Sequence, residues 1–181
     1  VDLDGDARME VIAGNTIYDA TGSTRWTDGG VDGSSAVGDF DLDGVPEIVR
    51  VYDSTVHVTY ADGTLRWTYP LYDGGGGPPT IADFDGDGFP EIGVASRLFY
   101  RVLETDGTQR WANVVQDVSS SITGSSVFDF EGDGAAEVVY ADEETLWVFD
   151  GATGAVELAL STHSSGTLLE YPVVVDVDFD G

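Results

Sequence analysis

In the stretch ADFDGDGFPEI (residues 82–92), Asp83, Asp85, Asp87 and Glu91 fall within nine residues, with glycines between them and apolar residues on both sides. Carboxylates this close repel one another and destabilise a compact state unless a cation neutralises them. A hard divalent ion suits them: calcium takes about six to eight oxygens from carboxylates, carbonyls and water, whereas zinc prefers the His and Cys that this stretch lacks. Alternation at loop positions 1, 3 and 5 lets a tight turn point three Asp side chains inward. Gly86 and Gly88 supply backbone angles that other residues avoid, and Glu91 at position 9 can close the cage. An EF-hand would place its Glu at position 12 and continue into a helix. Here the loop runs into EIGVAS, which reads as a strand.

The loop is not alone. It recurs as DLDGDARME from Asp2, DFDLDGVPE from Asp39, DFDGDGFPE from Asp83 and DFEGDGAAE from Asp129, and begins again as DVDFDG from Asp176, at spacings of 37, 44, 46 and 47 residues. After each complete loop comes an apolar strand (EVIAG, EIVRVY, EIGVAS, EVVYAD), a second strand (TVHVTY, LFYRVL and TLWVFD in the later units) and a Gly-bearing turn. In three units that turn leads to an Arg-Trp pair, Arg25-Trp26, Arg66-Trp67 and Arg110-Trp111, where the fourth has Glu157-Leu158. A short apolar strand (SAVGDF, PTIADF, SSVFDF, YPVVVDV) precedes every loop from the second onward. Four strands in a unit of 37 to 47 residues is the size of a propeller blade.

These elements must hold the loops in place, and the rest of the chain agrees with them. No window sustains a 3.6-residue apolar period, while 24 Gly and many β-branched and aromatic residues favour strands joined by turns. The reading is an all-β chain of consecutive four-stranded antiparallel blades, a single propeller region over residues 1–181. Its blades fall at about residues 1–36, 37–80, 81–126 and 127–173, with a fifth motif from residue 174. The chain starts one residue before a first loop and stops inside another, so we expect about four blades of a larger ring of seven or eight, completed by further blades of a parent chain or by a second copy.

Charge narrows the function. With 34 Asp and Glu against 7 Lys and Arg the formal charge is −27, which disfavours nucleic acid and anionic membranes as partners. Hydrophobic residues at 41% and aromatics at 11% are enough for a core, so the acidity does not signal disorder. No apolar run of about 18 residues is present, so membrane insertion is not expected. Cysteine is absent, which removes disulfides and thiolate chemistry.

The D-x-D-x-D-G-x-x-E loop between short strands resembles the FG-GAP and VCBS repeats, the calcium-bearing blades of integrin α-subunit propellers and of many bacterial secreted proteins. The resemblance implies Ca²⁺ ligands at Asp2, Asp4, Asp6 and Glu10, at Asp39, Asp41, Asp43 and Glu47, at Asp83, Asp85, Asp87 and Glu91, and at Asp129, Glu131, Asp133 and Glu137. It also implies backbone carbonyl ligands at position 7, which is Arg8, Val45, Phe89 and Ala135, and an incomplete fifth site at Asp176, Asp178 and Asp180. Ala7 stands where the first loop would ordinarily carry Gly, and Glu131 replaces Asp in the fourth.

Other chemistry reads as structural. The Gly turns before tryptophan resemble the docking repeats of quinoprotein propellers, in which the indole locks adjacent blades; an exposed tryptophan would instead offer a sugar-stacking face. DVSSS (residues 117–121) matches the D-x-S-x-S pattern of metal-dependent adhesion sites but lies in an inter-blade segment, and His57 and His163 have no His or Cys near them in sequence. The expectation is a calcium-stabilised module of a secreted or cell-surface protein, a scaffold for a protein or carbohydrate ligand in adhesion, and not an enzyme. The alternatives are a lyase resembling the calcium-bearing rhamnogalacturonan lyases, which would show a carboxylate or basic cluster in the central channel that breaks the repeat, or a structural spacer. No such cluster is evident from the sequence.

Overall fold

The computed structural model describes residues 1–161, 166–167 and 171–177. Their strands form four antiparallel sheets in which chain neighbours are sheet neighbours. The first sheet has three strands, β1 (Val11–Ala13), β2 (Thr16–Tyr18) and β3 (Thr24–Thr27). The second holds β4 (Ser34–Gly38), β5 (Glu47–Tyr52), β6 (Thr55–Thr59) and β7 (Leu65–Pro70). The third holds β8 (Thr80–Ala82), β9 (Glu91–Ala95), β10 (Phe99–Leu103) and β11 (Gln109–Val114), and the fourth holds β12 (Ser125–Phe128), β13 (Glu137–Ala141), β14 (Thr145–Phe149) and β15 (Val156–Ser161). These are propeller blades; the second, third and fourth acidic loops each join the innermost strand of a blade to the next, and the first leads into β1. Inner strands β4, β8 and β12 approach one another in succession. Among the described residues the four sheets do not close a ring.

Stacking explains the apolar runs. Strands β5 and β9 are buried on both faces because a blade lies on each side, so their sequences read as continuous apolar stretches rather than alternating ones. Val49, Val51, Val56 and Val58 of the second blade pack on Ile92, Val94 and Leu103 of the third; Tyr100, Val102 and Trp111 of the third meet Val138, Tyr140 and Phe149 of the fourth. Strand β15 is exposed throughout, as befits a sheet with no described blade beyond it.

The tryptophans lock these seams. Trp26, Trp67 and Trp111 donate their indole N–H to the carbonyls of Ala61 (3.1 Å), Thr105 (2.9 Å) and Gly151 (2.6 Å) in the next blade. Each indole lies against a turn glycine with positive φ, so that a Cβ on Gly63, Gly107 or Gly154 would stand 3.2, 2.7 or 2.7 Å from the ring. The residue must be glycine for two reasons at once, its backbone angle and the indole above it. Apolar position 2 completes the seam in the first three loops, where Leu3, Phe40 and Phe84 are fully buried, whereas Phe130 of the fourth is 48% exposed. These three acidic loops therefore sit beside core residues because their second position is itself a core residue.

Candidate metal centre

Four short turns place the acids. Position 1 organises each loop by accepting backbone N–H groups: Asp2 from Gly5 and Ala7 (2.8 and 2.9 Å), Asp39 from Asp43 and Gly44 (3.1 and 2.9 Å), Asp83 from Gly86 and Gly88 (2.7 and 2.9 Å), Asp129 from Gly132 and Gly134 (2.7 and 2.9 Å). To aim those N–H groups inward the chain takes positive φ at positions 4 and 6. Glycine supplies it in most copies, while Leu42 (φ 57°) and Ala7 (φ 64°) adopt it at a steric cost. The position-7 residues Arg8, Val45, Phe89 and Ala135 donate their own N–H to the position-5 Asp at 2.8–2.9 Å.

Position 9 is held by the core. In every loop the position-2 N–H donates to Oε2 of the Glu: Leu3 to Glu10 (2.7 Å), and Phe40 to Glu47, Phe84 to Glu91 and Phe130 to Glu137 (2.8 Å each). One carboxylate oxygen is thereby fixed in each loop. In the third loop the other oxygen, Glu91 Oε1, is buried with no hydrogen-bond partner. Leaving a charged oxygen in this state is costly, and the cost disappears if a cation meets it.

The acids converge in all four loops. Ligand oxygens of Asp2, Asp4 and Asp6, of Asp39, Asp41 and Asp43, of Asp83, Asp85 and Glu91, and of Asp129, Glu131 and Glu137 lie within 4.8 Å of one another. Glu10 and Glu47 stand outside the first two of these groups, and Asp87 and Asp133 outside the last two. Asp176 is exposed, while Asp178 and Asp180 lie outside the described residues, as does His163.

Electrostatics separates position 1 from position 9. Slight desolvation acts to raise Asp2, but the N–H groups of Ala7 and Gly5 outweigh it and hold the carboxyl below its usual range; the Gly134 N–H does the same for Asp129. Burial has the opposite effect on the glutamates. Desolvation pushes Glu91 up to about 7 against the Phe84 N–H, with the neighbouring charges of Asp85, Glu104 and Asp83 adding to it. It also raises Glu47 and Glu137, the latter helped by Glu131. The donor set is all oxygen, acidic and under mutual repulsion, which fits a hard divalent cation and not zinc.

Two features were not foreseen from the sequence. Arginines reach into three loops: Arg25 to Asp4 (2.8 Å) and Glu10 (3.6 Å), Arg66 to Glu47 (3.1 Å) and Asp41 (3.4 Å), and Arg110 to Asp85 (2.5 Å). The Arg-Trp repeat was visible, but not that its Arg faces the acids. A charged cluster also interrupts the repeat inside a seam between blades. Arg50, 2% exposed, takes the place of Val94 and Tyr140 in the equivalent strands and pairs with Asp28, beside Tyr52 and His57 stacked at 4.0 Å. It is buried in the seam, its guanidinium lying over Trp26 and Tyr52. The DVSSS segment also proves to be scaffolding: Asp117 is buried and accepts hydrogen bonds from Ser120 Oγ (2.8 Å), Thr123 N (2.9 Å) and Thr167 Oγ1 (2.5 Å).

Residues 39–94 match the model of the FG-GAP-like repeat family, so the repeat expected from the acidic loops is present there. No curated protein matches the chain in sequence. Among solved structures, the Vibrio cholerae biofilm matrix protein Bap1 superposes with a TM-score of 0.85 at 18% identity, over 99% of this chain and 57% of that one. The rhamnogalacturonan lyase YesW gives 0.61 at 21% identity, over 89% of this chain and 27% of the lyase. BamB from Moraxella catarrhalis gives 0.56 at 17%, over 88% and 49%. At such identities the likeness is one of fold, and the chain spans little more than half of Bap1 and about a quarter of the lyase.

Proposed function

We propose that this chain is a calcium-binding β-propeller module of a secreted or cell-surface protein, whose four complete loops hold Ca²⁺ and whose rim serves as a scaffold for a protein or glycan partner. The observation that carries the calcium reading is Glu91: its buried Oε1 has no hydrogen-bond partner, and one of its carboxylate oxygens lies within 4.8 Å of ligand oxygens of Asp83 and Asp85. The same loop, with the same N–H grip on its position-9 Glu, occurs four times. Asp83, Asp85, Asp87 and Glu91 would hold the ion in the third loop, and the corresponding acids from Asp2, Asp39 and Asp129 in the others, with the carbonyls of Arg8, Val45, Phe89 and Ala135 as the remaining protein ligands.

Bound calcium would supply positive charge where the chain has a large excess of negative: four ions bring eight charges against a formal −27. The loops fix the position-1 and position-9 carboxylates before any ion arrives, which lowers the ordering cost of binding. Location follows from affinity, since acid-rich extracellular modules bind calcium with Kd of about 10⁻⁴–10⁻³ M and rely on the millimolar ion outside cells. The likeness to a biofilm matrix protein accords with this. A lyase reading has only a likeness of fold behind it, and the cluster that breaks the repeat, around Arg50, is packed inside a seam.

The test is chelation. Binding to the folded state alone stabilises by about 2.7 kcal/mol per site at 100 Kd, so excess EGTA should lower the melting temperature by several degrees or more and calcium, not magnesium, should restore it. An unchanged melting curve would overturn the structural-calcium reading.

A further inference from the structure

Each blade contains one β-bulge at the same register of its outer hairpin. The ladder skips a residue between Trp26 and Thr24, between Trp67 and Leu65, between Trp111 and Gln109, and between Leu158 and Val156. The extra residues are Arg25, Arg66, Arg110 and Glu157. A bulge re-aims the side chain it inserts, and here it turns three guanidinium groups onto the acidic loop of their own blade. All three contact the position-3 aspartate, Asp4, Asp41 or Asp85, at 2.8, 3.4 and 2.5 Å. In the first two loops the guanidinium also reaches the position-9 Glu, and there that Glu stands outside the converged group of acids; in the third and fourth loops the Glu is within it. The fourth blade places a carboxylate at the bulge. Glu157 holds the register position that the three arginines hold in the other blades.

Resting on the calcium reading above, we propose that the bulge residue sets the calcium dependence of each loop: Arg25, Arg66 and Arg110 are tethered counter-cations that partly replace the ion, and Glu157 makes the fourth loop the tightest and most calcium-dependent of the four. A guanidinium beside the acids acts on both states of a loop. In the metal-free protein it relieves carboxylate repulsion, and toward an arriving divalent ion it adds like-charge repulsion. Both effects weaken the response to calcium. Glu157 inverts both, adding repulsion to the free loop and attraction to the ion. One sequence position thus grades four sites that otherwise share a ligand pattern, the fourth having five acids, Asp129, Glu131, Asp133, Glu137 and Glu157, with no arginine paired to them among the described residues.

The experiment is calcium binding in chelator-buffered solutions, read as calcium per chain against free calcium, together with the melting temperature in EGTA, for the unaltered chain, Glu157→Arg, Glu157→Gln and Arg66→Met. Reversing one unit charge beside a solvent-accessible divalent ion is expected to move a site by roughly tenfold or more. Glu157→Arg should weaken the tightest binding step by at least that much and raise the EGTA melting temperature, with Glu157→Gln in between. Arg66→Met should tighten one of the weaker steps and lower the EGTA melting temperature. If the tightest step does not move in Glu157→Arg, or if Arg66→Met weakens binding, the proposal is overturned and the arginines are positioning groups for the aspartates. Failure of the calcium reading itself would look different: the unaltered chain would bind no calcium at millimolar concentration, before any variant is compared.

Discussion

Trp67 and Glu91 lie in adjacent blades, and each puts a polar atom beside the core, but they leave it in different states. At the seam, Trp67 Nε1 donates to the Thr105 carbonyl at 2.9 Å while its ring covers Gly107. At the loop, Glu91 is fully buried where Trp67 is half-buried, and only one of its oxygens is satisfied. The seam is completed by groups the chain itself supplies, and the loop is not. Blade-to-blade packing should therefore be indifferent to ions, whereas the loops should respond to charge, pH and metal. The difference also separates the stability of a repeat array, which depends on neighbour contacts, from the order of its rim.

The strongest way to break the comparison is at the seam. Trp67→Ala removes a large side chain from between two blades and is expected to cost about 3 kcal/mol or more, by the same amount in calcium and in EGTA, as measured by urea unfolding. A cost present only in EGTA would mean that seam and loop are not independent. Gly107→Ala attacks the same contact from the other side, adding a Cβ 2.7 Å from the indole at a φ of +84°. We expect about 1–2 kcal/mol from the backbone angle alone, plus the displacement of Trp67, visible as a shift in tryptophan emission.

Much of this was legible in the sequence because its chemistry is local. Acids at positions 1, 3, 5 and 9 and the glycines between them act within one turn, so spacing alone marked the loops. The run EIVRVY marked an apolar strand, and the Arg-Trp copies marked a docking residue. What could not be read depends on the ladder. Arg66 looks toward Glu47 only because a bulge between β6 and β7 inserts it there, and a shift of one residue would have turned it away. Arg50 reads as one charge in an apolar strand; its partner Asp28 lies 22 residues away in another blade. Glu10 and Glu47, which stand apart from their converged acids, are the two position-9 glutamates that the bulge arginines reach.

At the loops the response should be to pH. In the metal-free protein Glu91 is pushed up to about 7 from an ordinary 4.5. Between those values the folded chain keeps a proton that the unfolded chain has released, so this group makes stability fall as pH rises through the window. Glu91→Gln should flatten that fall, leaving the metal-free variant more stable than the parent at pH 8 and no better at pH 5, as read from urea midpoints in EGTA. With calcium present the slope should reverse in the parent, because the ion requires the carboxylate. A smaller effect is expected at Leu42, which is exposed and holds φ at 57° where other loops have glycine. Leu42→Gly relieves that strain at some cost in chain entropy, for a net gain of about 0.5–1 kcal/mol; a loss would mean that the Leu42 side chain packs on the loop.

The most direct test counts ions. Protein at equilibrium in dialysis against several millimolar calcium, with bound metal taken as the excess over the dialysate by mass spectrometry, should hold about four calcium per chain, and Glu91→Gln should hold one fewer with the other loops unaffected. Fewer than one calcium per chain in the parent, or an unchanged count in the variant, would contradict the assignment of the unpartnered Glu91 oxygen to a metal site.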